Sequence, residues 1–214
     1  MMPAAMTNDL FSDAANIAQF MALVKGFRQV EGWLDPGDGY LLYRLARDGE
    51  GEGAIVEIGS WMGLSTAWLA TGSKEASREH VHAIDVFDGG PTLKDNDVIR
   101  DEGTTYHHFI ENLEKLGLFD YVEPTIAESS AAAQRWTGGS IRLLFIDGDH
   151  RYAAVKQDFD LWSPHVAVGG YVVLDDAIET YPGVLQVFNE ALADPEHWQH
   201  VMRARNSETL RRIA

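Results

Sequence analysis

Five short apolar runs punctuate the chain: Ala54–Ile58 (AIVEI), Val81–Val86 (VHAIDV), Tyr121–Ile126 (YVEPTI), Ile141–Ile146 (IRLLFI) and Gly170–Leu174 (GYVVL). Runs rich in Val, Ile and Leu predict parallel strands covered on both faces. The stretches between them mix apolar and polar positions at helical spacing. They predict helices over Ser65–Thr71, Thr105–Leu116, Ser130–Trp136 and Tyr152–Trp162. Two helices precede the first strand. One covers Ala14–Phe27; the other starts at Asp35–Pro36, a capping acid followed by a residue suited to the first turn, and runs to Arg47. Val184–Ala193 predicts a helix after the fifth strand, and the tail reads as two strands, His200–Arg205 and Glu208–Ile213, joined at Asn206–Ser207. Strand–helix alternation of this kind predicts an α/β sheet with right-handed crossovers, here ending in an antiparallel hairpin. Asp88–Tyr106 is long, polar and glycine-containing, and reads either as a surface loop or as a substrate lid facing a wall formed by Ala14–Leu34.

Composition narrows the class. The chain has 214 residues, 45% hydrophobic and 23% charged, which predicts one ordered domain over residues 1–214. It has no cysteine, so disulfides, thiolate zinc sites, iron–sulfur clusters and a cysteine nucleophile are excluded. Seventeen Lys and Arg against 33 Asp and Glu give a formal net charge of −16. A field of that sign repels nucleic acids and anionic membranes, so neither is expected as a partner. No run approaches the ~20 apolar residues of a membrane span. The N-terminus carries no basic segment ahead of an apolar one, and a cytoplasmic location is the expectation.

Two clusters carry chemistry. The first is Val56–Thr66 (VEIGSWMGLST), a glycine-rich turn between a strand and a helix. Gly59 suits the tight turn, Gly63 suits close approach of a ligand, and the helix start at Leu64, Ser65 and Thr66 offers free N–H groups. Its G-x-x-x-G spacing and Glu57 fit a pyrophosphate poorly, which disfavours a dinucleotide oxidoreductase. A zwitterionic amino-acid moiety fits better, with Glu57, Gly59, Ser60, Trp61, Gly63 and Ser65 around it. Asp85 ends the second strand, the place of a ribose-binding acid in nucleotide folds.

The second cluster is Asp147-Gly148-Asp149-His150 after the fourth strand and Asp175-Asp176 after the fifth. If those strands are neighbours, Asp147, Asp175 and Asp176 converge, and crowded carboxylates need a counter-charge. A hard cation with oxygen ligands, Mg²⁺ or Ca²⁺, would supply it. His150 and Asp149 are both candidate bases for a substrate hydroxyl; His150 is preferred, because the ordinary imidazole pKa of about 6.5 suits neutral pH. Asp149 is equally suited to capping the helix that follows.

These residues resemble the class I S-adenosylmethionine-dependent methyltransferases. VEIGSWMGLSTAWLA resembles their motif I, VHAIDVF their motif II, and FIDGDH…GGYVVLDD is similar to the metal-dependent O-methyltransferases of the catechol, caffeoyl-CoA, macrocin and mycinamicin types. The group described as methyltransferase domain 24 looks most similar. The resemblance implies a Rossmann-like seven-stranded sheet of order 3-2-1-4-5-7-6 over residues 49–214, with the helices of residues 1–48 forming part of the substrate wall. It also implies S-adenosylmethionine as cofactor, a small hydroxylated acceptor such as a sugar or phenol, and adenine flanked by Ala127–Ser130, including Glu128 and Ser129. Asp147 would serve both donor and metal. The catechol group usually has Asn where this chain has Asp176, and Lys where it has His150. Remaining alternatives are a metal-free methyltransferase, a cephalosporin-hydroxylase-like enzyme and a non-catalytic S-adenosylmethionine-binding protein; assembly of identical chains is compatible with each.

Overall fold

A computed structural model describes residues 14–91 and 93–214. In chain order the elements are α1 (Ala14–Phe27), α2 (Pro36–Asp48), β1 (Ala54–Ile58), α3 (Leu64–Glu75), β2 (Val81–Asp85), α4 (Asp97–Glu102), α5 (Tyr106–Lys115), β3 (Val122–Ile126), α6 (Ser129–Gln134), β4 (Ile141–Ile146), α7 (Tyr152–Trp162), β5 (Val166–Leu174), α8 (Pro182–Leu192), β6 (Trp198–Arg203) and β7 (Glu208–Arg212). The seven strands form one sheet, β3-β2-β1-β4-β5-β7-β6. β1 to β5 are parallel, and the β6–β7 hairpin pairs antiparallel along β5.

Alternate residues of the central strands feed two cores, as a sheet covered on both faces requires. Ile55, Ala83, Leu143, Phe145 and Val173 pack against α2, α3 and α5. Val56, Ile84, Leu144, Ile146 and Val172 pack against α7 and α8. Two differences from the sequence reading have physical causes. The segment 88–106 is not one long loop: Asn96 caps α4 through Val98 N–H and Gly103 closes it in a left-handed conformation. β5 begins at Val166, four residues before the expected Gly170, with the irregular pairing confined to the Ile141–Leu143 stretch of β4.

Two of the wholly buried charged side chains serve as ties rather than errors of patterning. Arg142, on β4, donates to the carbonyls of Leu45 and Ala46 at the end of α2, with Glu79 as its ion-pair partner. Asp38, in the first turn of α2, accepts from the backbone N–H groups of Arg205, Asn206 and Ser207 at 2.9–3.2 Å. That bond set ties α2 to the β6–β7 turn, beside the carboxyl ends of the strands. Among the described residues no helix is long and apolar enough to cross a membrane.

Candidate active site

The strand register builds the site. Ile84, Ile58, Ile146 and Leu174 lie level across β2, β1, β4 and β5. The ladder then runs one residue further: Gly59 N–H donates to Ile84, Asp147 N–H to Ile58, and Asp175 N–H to Ile146. So Asp85, Gly59, Asp147 and Asp175 leave the sheet along one line at its carboxyl edge. Ligands of open α/β sheets bind there.

Gly59 is required by packing. It sits at φ +88°, and a Cβ on it would lie 2.2 Å from the Asp147 carbonyl oxygen of the adjoining strand. Gly63, at φ +90°, faces Phe109 rather than the cleft. The turn between them is clamped by Asp85. One carboxylate oxygen accepts from Ser60 N–H at 2.7 Å and Trp61 N–H at 2.8 Å, the other from Phe87 N–H at 2.7 Å. Trp61 is held left-handed at φ 46°, uncommon for a bulky residue, and its ring lies 5.4 Å from that of Trp33, which is 66% exposed.

Glu57 sits behind this turn instead of lining the cleft. It is wholly buried and accepts from the hydroxyls of Ser60, at 2.7 Å, and Thr66. Burial pushes its carboxyl up from 4.5 to about 7. The folded protein therefore binds a proton here more tightly than the unfolded chain. The resulting stabilisation is full below pH 4.5 and is lost as pH rises through about 7. Glu57→Gln should show a shallower loss of stability than the parent between those limits, read from urea unfolding midpoints at pH 5 and pH 8. Equal slopes would remove Glu57 as a source of the pH dependence.

Asp147, Asp175 and Asp176 gather at the ends of β4 and β5. Burial, then the nearby charge of Asp176, holds the Asp147 carboxyl well above the usual carboxylate range. Burial, then the charge of Asp147, does the same to Asp175. Burial also raises Asp176, which is left-handed at φ 53° and has His150 as a compensating neighbour. Asp175 accepts a bond from Ser207 Oγ, whose own N–H is held by Asp38. This excess of negative charge and its oxygen donors suit a hard divalent cation. The oxygens are not drawn into one tight cluster: among the described residues the set whose ligand atoms all lie within 4.8 Å of one another is Glu102, His107 and His108, outside this cleft.

The two candidate bases differ. Arg151 binds both carboxylate oxygens of Asp149, and its N–H adds a bond at 2.9 Å. The guanidinium holds that carboxyl below the usual range, which makes it a weak base. His150 Nε2 lies 3.4 Å from Asp147 Oδ1, and its ring lies 4.6 Å from that of Tyr181.

These groups line one cleft of about 1380 Å³, together with Trp33, Ser65, Glu128, Ser129, Asp158 and Tyr181. That exceeds the roughly 300–1,000 Å³ of a pocket for one small molecule and leaves room for two. Glu31–Leu34 form part of one wall, and Asp88–Pro91, Leu93 and Lys94 form another. Asp158 escaped the sequence reading. It shares the buried face of α7 with Val155, Phe159 and Trp162, and burial raises its carboxyl to about 6. Ser129 Oγ accepts from Trp162 Nε1 at 2.9 Å, which fixes the start of α6 beside Asp158. A carboxylate on the apolar stripe of a helix was the available signal.

Solved structures share this fold. An O-methyltransferase from Bacillus cereus, solved with SAH, superposes with a TM-score of 0.65 at 16% identity, over 97% of this chain and 94% of that one. The O-methyltransferase TomG from Streptomyces achromogenes, solved with SAM and involved in tomaymycin synthesis, gives 0.61 at 16% identity over 94% and 90%. At such identities the likeness is one of fold. A protein of Acanthamoeba polyphaga mimivirus is 46% identical over 57 residues, a match spanning a quarter of each chain. A family model described as a methyltransferase domain matches residues 56–177, more than half of the chain and the whole run from the glycine turn to the paired aspartates. On that match this chain belongs to the methyltransferase domain family.

Proposed function

We propose that this protein transfers the methyl group of S-adenosylmethionine to a hydroxyl of a small acceptor, a sugar or a phenol. The observation that carries the reading is the meeting, in one cleft, of the Asp85-clamped glycine turn with the acids of β4 and β5. The donor's methionine end lies against Gly59–Trp61 and the start of α3 at Ser65. The N–H groups of Gly59, Ser60 and Trp61 are taken by Ile84 and Asp85, so those of the first turn of α3 are the ones that suit its carboxylate. Its ribose lies toward Asp85 and its adenine beside Glu128 and Ser129. The acceptor hydroxyl lies at Asp147, Asp175 and Asp176, carboxylates that fit Mg²⁺ or Ca²⁺ in charge and donor type. A cation held there would lower the pKa of the hydroxyl and offset the charge of its oxyanion.

His150 Nε2 takes the hydroxyl proton, since Asp149 is committed to Arg151. The freed oxygen attacks the sulfonium methyl; the O–C bond forms as the S–C bond breaks, and the electron pair stays on sulfur as S-adenosylhomocysteine. A metal-free variant of this reading has one observation in its favour, the spread of the carboxylate oxygens. In that case His150 is still the base, and the acids keep their raised proton affinity without a metal.

Methyl transfer from labelled S-adenosylmethionine to a panel of catechols and hexosides tests both. His150→Asn should lower turnover about 10²–10⁴-fold, the usual worth of a positioned base. Asp149→Asn should change it less than about tenfold. The reverse ranking would reassign the base. Activity that survives EDTA would remove the cation and retain the metal-free form; no transfer to any hydroxyl, despite donor binding, would leave a binding protein.

A further inference from the structure

A second group of ligands lies outside the cleft, where α4 meets α5. Gly103 turns the chain back sharply, so Glu102 at the end of α4 faces the first turn of α5. His107 Nε2 lies 2.5 Å from Glu102 Oε2, and His108 Nε2 lies 3.3 Å from Glu102 Oε1. Successive residues of a helix normally diverge by about 100°. Here the two imidazole rings come within 4.2 Å of each other, centroid to centroid, because both lean toward one carboxylate. The three ligand atoms all lie within 4.8 Å of one another.

We propose that Glu102, His107 and His108 form a binding site for a borderline divalent metal of the Zn²⁺ type, which staples α4 to α5. Two imidazoles and one carboxylate are a nitrogen-rich set. Zn²⁺ accepts it with a fourth position left for water, whereas Mg²⁺ and Ca²⁺ prefer oxygens. Bonds of about 2.0–2.1 Å at tetrahedral angles place ligand atoms roughly 3.3–3.5 Å apart. The observed separations, 2.5 Å and 3.3 Å from carboxylate to imidazole and within 4.8 Å for the set, bracket that distance. Glu111, one turn along α5, adds negative charge beside both histidines, although Lys115 pairs with it at 2.7 Å. Arg100 on α4 is occupied by Asp97 and Asp101.

The staple has a structural reach. Ile99 of α4 rests on Gly89, where a Cβ would come within 2.9 Å of its Cγ1. Gly89, Gly90, Pro91, Leu93 and Lys94 line the cleft. A metal joining Glu102 to the two histidines therefore steadies one cleft wall without entering the cleft.

Co²⁺ is the probe, because a four-coordinate ion with imidazole ligands absorbs visible light, and Zn²⁺ displaces it silently. The purified chain should take up one Co²⁺ with such a band, and Zn²⁺ should compete in the micromolar range. Glu102→Gln, His107→Gln and His108→Gln should each weaken uptake at least about tenfold, about 1.4 kcal/mol. These side chains are substantially exposed, so the variants should keep the parent's circular dichroism. Asp147→Ala should keep the band unchanged, which separates this site from the cleft. Amide exchange over residues 93–102 should slow when Zn²⁺ is added. Absence of the band, a band indifferent to all three substitutions, a band lost in Asp147→Ala, or exchange that ignores Zn²⁺ would each overturn the proposal.

Discussion

Asp147→Ala should abolish methyl transfer while leaving the protein as stable as before, or more so. Asp147 sits among Asp175 and Asp176; burial, then the charge of Asp176, raises its proton affinity, and its own charge raises that of Asp175. A carboxylate placed against like charges costs stability in the absence of a counter-charge. Removing it relieves Asp175, so without divalent ions the thermal midpoint should hold or rise at pH 8. Turnover should fall at least about 10³-fold, roughly 4 kcal/mol of transition-state stabilisation. Affinity for S-adenosylhomocysteine should stay within about tenfold. The sign of the pH effect follows from the same shifts. Asp147 and Asp175 are both raised, so the stability they contribute is full below the ordinary carboxylate pKa of 3.8 and is lost as pH climbs through their folded values. The variant should lose less on that climb. A variant with parental turnover, or one that unfolds at 25 °C, would return Asp147 to a purely structural role.

The strands were legible because each is an apolar run bounded by turn residues, and the sheet order followed from the resemblance. α4 was not, because its six residues bury nothing and so carry no periodic signal. Its evidence is two caps, Asn96 and Gly103, inside a polar stretch. Within the site, Asp85, Asp147, Asp175 and Asp176 were legible as acids that end strands. The direction in which Glu57 points was not drawn out, although strand alternation contains it. Glu57 shares a face with Ile55, which packs toward α3, and so it reaches Thr66 beneath the turn rather than the open strand end. Asp38 and Ser207 lie 169 residues apart, and no local pattern announces that one holds the other against Asp175. Long-range ties of this kind appear only once the hairpin is placed beside α2.

Asp85→Ala should do the opposite of Asp147→Ala, removing the nucleoside and sparing the acids of β4 and β5. Asp85 is the shared acceptor of three N–H groups, from Ser60, Trp61 and Phe87. Bonds from amides to a carboxylate contribute about 1.5–3 kcal/mol each, and water recovers part of that in an open turn. A net loss of roughly 2–4 kcal/mol in unfolding free energy is therefore expected. Binding should fall by a comparable amount. The left-handed backbone of Trp61 persists because its N–H is held, and such strain survives only where the surroundings enforce it. Once released, the turn must be re-ordered by the ligand at the ligand's expense. S-adenosylhomocysteine affinity should drop at least about 100-fold, or 2.7 kcal/mol, by calorimetry. Asp85→Asn keeps one oxygen acceptor and should lie between the two. If Asp85→Ala weakened the nucleoside while unfolding stability stayed at the parental value, direct contact with the ribose, rather than the clamp on the turn, would account for the loss.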